Sequence, residues 1–81
     1  MAWSVASVRA VEPSPGRDTA AAAVVEIKRG DDERRIMVEL SESAAAAGVT
    51  LDARDAVGGF LGDADPPERV IVTDTGVVAA D

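Results

Sequence analysis

The strongest structural signal in the chain is the segment VVEIKRGDDERRIMVEL, residues 24–40. Apolar and polar residues alternate on both sides of its Gly-Asp-Asp-Glu centre, which is the pattern of two strands joined by a short turn. We therefore predict a β-hairpin that places Arg35 and Glu39 on the face opposite to the apolar residues. The residues predicted to be buried are Val25, Ile27, Ile36, Val38 and Leu40.

Residues 2–11 predict a further strand before this hairpin. Trp3 and Val5 share one phase of the alternation, whereas Val8 falls on the opposite phase. Because an extra residue in a strand reverses the phase, we expect a β-bulge near Ser7.

Residues 41–61 predict a helical segment. Ser41 is placed to cap a first short helix, and Thr50 resembles the N-cap of a second helix with Asp52 in its first turn. The pair Gly58-Gly59 interrupts the apolar helical spacing. Either the helix ends there, or the glycines allow close packing on the sheet.

The chain ends with a predicted strand at Val70-Ile71-Val72, and a short final strand at Val77-Val78 is an alternative. The fold class is therefore α+β. We expect a single small domain, residues 1–81, with a mostly antiparallel sheet in β-β-β-α-β order. The short helical segment packs on one face of this sheet.

The composition excludes several kinds of chemistry. The chain contains no Cys and no His, so it has no thiolate nucleophile, no Cys/His zinc site and no histidine base. The tripeptide Asp74-Thr75-Gly76 is similar to the catalytic tripeptide of retroviral-type aspartic proteases, but the likeness stops at three residues and we expect a turn. We predict no enzyme activity, no catalytic residues, no cofactor and no metal site.

The segment 62–68 contains three carboxylates, those of Asp63, Asp65 and Glu68. Ca²⁺ prefers several oxygen ligands, often from closely spaced acidic residues, but the segment does not match the EF-hand pattern. We expect a solvated loop. A small-ligand or cation-binding regulator is retained as a third hypothesis for the function.

The first residues lack the basic and continuous apolar regions of a signal peptide, and the longest apolar run, residues 20–25, is too short to span a bilayer. We therefore expect a cytoplasmic protein that does not associate with membranes. Eight basic residues against fifteen acidic ones give a net charge of −7. Direct binding of nucleic acid is not expected at this charge.

An apolar strip on the second face of the sheet is the main indication of function. If the helical segment covers the face that carries Val38, then Val24 and Met37 are placed on the other face. Ile71 joins this predicted interface if Val70 and Val72 take the face of the helix. The core is rich in alanine and therefore thin, which favours association with a partner. We predict a non-catalytic protein–protein interaction or assembly module, self-associating or a subunit of a larger complex. The alternative is an acidic decoy that inhibits a nucleic-acid-binding protein.

Overall fold

The computed structural model describes residues 1–16 and 18–80. They form one five-stranded sheet whose strand order follows the chain, and two short helices between the third and fourth strands. Only the β3–β4 pair is parallel among the described strands, so the predicted α+β fold with a mostly antiparallel sheet is confirmed. The elements are β1 (Ser4–Val11), β2 (Thr19–Arg29), β3 (Asp32–Ser41), α1 (Glu42–Ala46), α2 (Ala53–Gly58), β4 (Arg69–Val72) and β5 (Val77–Ala80).

The predicted hairpin is formed by β2 and β3. Its two-residue turn begins at Gly30, whose φ of 63° suits the hairpin turns that favour glycine at the first central position. Val25 pairs with Ile36 across the two strands, and both residues have no exposed surface. The alternation of the sequence therefore fixes both the register and the buried face.

The predicted bulge lies in β1. Val5 pairs with Ile27 and Ser7 pairs with Glu26, so Ala6 is skipped in the register. Because of this extra residue, Val8 returns to the same face of the sheet as Val5.

Both helices begin at side-chain caps. Ser41 caps α1 as predicted, since its Oγ accepts a hydrogen bond from the Ala44 N–H at 3.1 Å. The prediction that Thr50 caps the second helix was wrong, because the chain is still extended at Asp52 and this residue accepts the Asp55 N–H at 3.1 Å. A Cβ atom at Gly58 or Gly59 would meet no other atom within 4 Å. These glycines therefore end the helix and do not serve close packing.

Both helices pack on the same side of the sheet, which we call the helix face. Ala44 of α1 and Val57 of α2 have no exposed surface and belong to the same core as Val38. We call the opposite side the open face, because no described helix lies on it. The largest side chains without exposed surface are Ile27, Ile36, Val25, Val38, Val57 and Val70.

Candidate interaction face

The structure places the three predicted interface residues on the open face. Val24 and Met37 are directly paired between β2 and β3. Ile71 lies on β4 beside Glu39, one row further along the sheet, because Val70 and Val72 take the helix face. All three residues are half-buried, so they form a strip that is partly open to solvent.

Val78 extends this strip and was not singled out from the sequence. It pairs with Ile71 across the β4–β5 hairpin and is 50% exposed. Alternation continued from β4 would place Val77 on the face of Ile71, so the position of Val78 depends on the four-residue connection that pairs Val72 with Val77.

An ion pair lies within the apolar strip. The Nε atom of Arg69 is 3.2 Å from Oε1 of Glu39, and Thr19 Oγ1 donates to Oε2 of the same carboxylate at 3.3 Å. Glu39 lies on the face predicted from the sequence, opposite to the buried apolar residues of β3, but it is only 4% exposed. A charge taken out of water needs such partners to offset the loss of solvation. The strip therefore contains a buried carboxylate with a cation beside it.

The end of the open face near the β2–β3 turn carries equal numbers of positive and negative charges. Arg35 Nε lies 3.7 Å from Glu26 Oε2, and Lys28 Nζ lies 3.8 Å from Glu33 Oε1. In each pair the two residues are directly opposed in the register of β2 and β3. Such exposed pairs contribute little to stability, so their effect is to keep this surface near neutrality.

The Asp-Thr-Gly tripeptide forms the turn of the β4–β5 hairpin. The Thr73 N–H donates to the Gly76 carbonyl at 2.8 Å, and the Gly76 N–H donates to Thr73 Oγ1 at 3.1 Å. Asp74 is exposed at the tip of the turn. These bonds account for the tripeptide as a local turn structure.

The acidic segment 62–68 is attached to the N-terminal end of the chain. Asp63 Oδ1 lies 3.3 Å from the amino terminus, and the Asp63 carbonyl accepts a hydrogen bond from Arg29 Nη1 at 2.8 Å. The guanidinium of Arg29 also stacks 4.5 Å from the centre of the Trp3 ring. In the part of the chain that the structure describes, no three acidic residues are arranged to hold a metal ion.

A shallow cleft of about 250 Å³ lies on the helix face, between α2 and the β4–β5 turn. Its floor is apolar and includes Val72 and Val77. Two of its polar groups already have structural roles, since Asp52 caps α2 and Thr73 closes the turn. The cleft is therefore part of the helix packing and lies away from the open face.

Comparisons of the chain with protein-family models, with curated proteins and with solved structures each give no match. Over residues 1–16 and 18–80, no helix has the length and apolar character needed to cross a membrane.

Proposed function

We propose that this chain is a non-catalytic protein-interaction module that associates through the open face of its sheet, with itself or as a subunit of a larger complex. The observation that supports this function is the apolar strip on a face without a covering helix. Partly exposed apolar side chains surrounded by charged residues are typical of contact surfaces. The strip consists of Val24, Met37, Ile71 and Val78.

The distribution of charge also supports association at this face. The open face carries four basic and three acidic residues. The basic ones are Arg9, Lys28, Arg35 and Arg69, and the acidic ones are Glu26, Glu33 and Glu39. Twelve of the fifteen acidic residues and four of the eight basic ones stand elsewhere in the sequence. Two copies that each carry a net charge of −7 therefore meet with the least repulsion at the open face.

The test is the substitution Met37→Lys, measured by sedimentation across a range of concentrations. In a two-fold interface one change acts twice, so two lysines are brought close together and the assembly should dissociate to monomers. The matched control is Ala45→Lys, which adds the same charge at an exposed position of α1 on the other side of the molecule. The control should sediment like the wild type.

The dependence of binding on ionic strength distinguishes this function from that of an acidic decoy. Association through apolar surface should persist at high salt, whereas binding of an acidic surface to a basic groove should weaken steeply. Wild type that remains monomeric at high micromolar concentration would rule out self-association through the open face. A foreign partner would then be the only form of the proposal that survives.

A further inference from the structure

The outer edge of β1 is a second surface suited to binding. β1 is the first strand of the sheet and pairs only with β2 among the described strands. The backbone N–H and C=O groups on the outer side of this eight-residue strand are therefore not bonded by any described strand. The other edge strand, β5, has only four residues. Such an edge can form main-chain hydrogen bonds with another chain segment in an extended conformation.

β1 lacks most of the features that protect edge strands from pairing. Residues 7–11 contain no proline, no glycine, no lysine and no acidic residue, and Arg9 is their only charge. Val8 is 41% exposed on the helix face, beyond the area that the helices cover. In this part of the strand, both the outer backbone groups and the Val8 side chain are therefore accessible to a partner.

The strand is also fixed in place before any partner binds. Trp3, directly before β1, is only 3% exposed, and its backbone N–H donates to the Gly62 carbonyl at 3.4 Å. Arg29 packs against its ring. Because β1 is held at this end and paired along its inner side, binding at its outer edge does not require further ordering of the chain.

We propose that β1 pairs antiparallel with β1 of a second copy, about a two-fold axis at Val8, so that the two sheets become continuous. In this register Val8 faces Val8 of the second copy, and Ser7 faces Arg9. Beyond the bulge, Val5 faces Ala10. Every pair then joins residues on the same face, because both copies skip Ala6.

Charge complementarity favours this register over its neighbour. An axis at Arg9 would place two arginines directly opposite each other, which is destabilising. With the axis at Val8, Arg9 lies beside Ser7 of the second copy, whose Oγ donates to Glu26 Oε1 at 3.0 Å in the same molecule. Glu26 is thereby within reach of the arginine. Arg9 makes no ion pair with another described residue, so it is available for this contact.

The absence of cysteine from the chain allows a direct test by disulfide formation. Opposed residues in antiparallel strands have Cα atoms roughly 4.5–5.5 Å apart, which a disulfide can bridge. The variant Val8→Cys should form a covalent dimer under mild oxidation at low micromolar concentration. The matched control is Val77→Cys, on the other edge strand, because Val77 is 40% exposed and also lies on the helix face. The control should remain largely monomeric.

A second measurement compares the sedimentation of Val8→Lys and Val8→Thr. Lysine places two like charges at the axis and should weaken the dimer roughly tenfold, whereas threonine keeps the branched shape and should leave it nearly unchanged. Equal cross-linking of the two cysteine variants, or equal sedimentation of wild type and Val8→Lys, would overturn the proposal.

The two interfaces are distinguished by their variants. Loss of association with Val8→Lys but not with Met37→Lys supports the β1 pairing and contradicts self-association through the open face. The reverse result contradicts the β1 pairing alone.

Discussion

On the helix face of β3, Ile36 and Val38 have no exposed surface, whereas on the open face of the same strand Met37 is half-buried beside the Glu39–Arg69 ion pair. The side chains around Val38 on the helix face are apolar, so a charge introduced there has no partner. The open face already combines apolar side chains with paired charges. Substitution of the half-buried Met37 should therefore leave the domain folded, so the proposed association can be tested separately from stability.

The largest loss of stability is expected when a charge is introduced on the helix face. Val38→Asp buries a carboxylate among apolar side chains, at a cost of several kcal/mol, which is comparable to the whole stability of a small domain. We expect no cooperative unfolding transition by circular dichroism in urea. The control is Arg35→Gln on the open face, which should change the free energy of unfolding by less than about 0.5 kcal/mol. A folded Val38→Asp variant would contradict the assigned register.

A smaller effect is expected from breaking the ion pair of the open face. Arg69→Met removes the cation 3.2 Å from the buried Glu39 carboxylate, and we expect a loss of about 2 kcal/mol in the free energy of unfolding. This value lies below the usual range for buried pairs because the Arg69 side chain is 26% exposed. Urea titration of the purified variant gives the measurement.

The double variant Glu39→Leu with Arg69→Met tests the reason for this loss. Replacing both charges with apolar side chains leaves no carboxylate to desolvate, so most of the lost stability should return. A double variant that is less stable than Arg69→Met would show that the Glu39 carboxylate is itself required for folding.

The sequence was sufficient for the parts of the fold that depend on local alternation. The β2–β3 hairpin, the bulge before Ser7 and the open-face position of Met37 all follow from the period of two. The burial of Glu39 could not be predicted in this way. It depends on the parallel pairing of β3 with β4, which brings Arg69 from a distant segment to the same face. No local pattern specifies the register of such a long connection.

The cap of α2 shows a second limit. Thr50 and Asp52 are both good capping residues, and the sequence alone favoured the first. The chain becomes helical only at Ala53, so the residue directly before it, Asp52, makes the capping bond. The path of the loop between the two helices, and not capping propensity, determines which residue caps α2.

The smallest effect is expected in the acidic segment 62–68, which belongs to neither the apolar strip nor the buried core. The combined change Asp63→Asn, Asp65→Asn and Glu68→Gln should shift stability by less than about 0.5 kcal/mol per exposed site. Asp63 loses its ion pair with the amino terminus, but both groups are largely exposed. The removal of three negative charges from an acidic chain opposes this loss.

Thermal unfolding of this triple variant with and without millimolar Ca²⁺ decides between a solvated loop and a cation site. We expect no Ca²⁺-dependent rise in Tm for wild type, because Asp63 is already paired with a cation and its carbonyl is bonded to Arg29. The control is Asp31→Asn with Asp32→Asn at the β2–β3 turn, which reduces the charge of another exposed segment. A Ca²⁺-dependent rise that persists in this control but disappears in the triple variant would favour a cation-binding regulator over an interaction module.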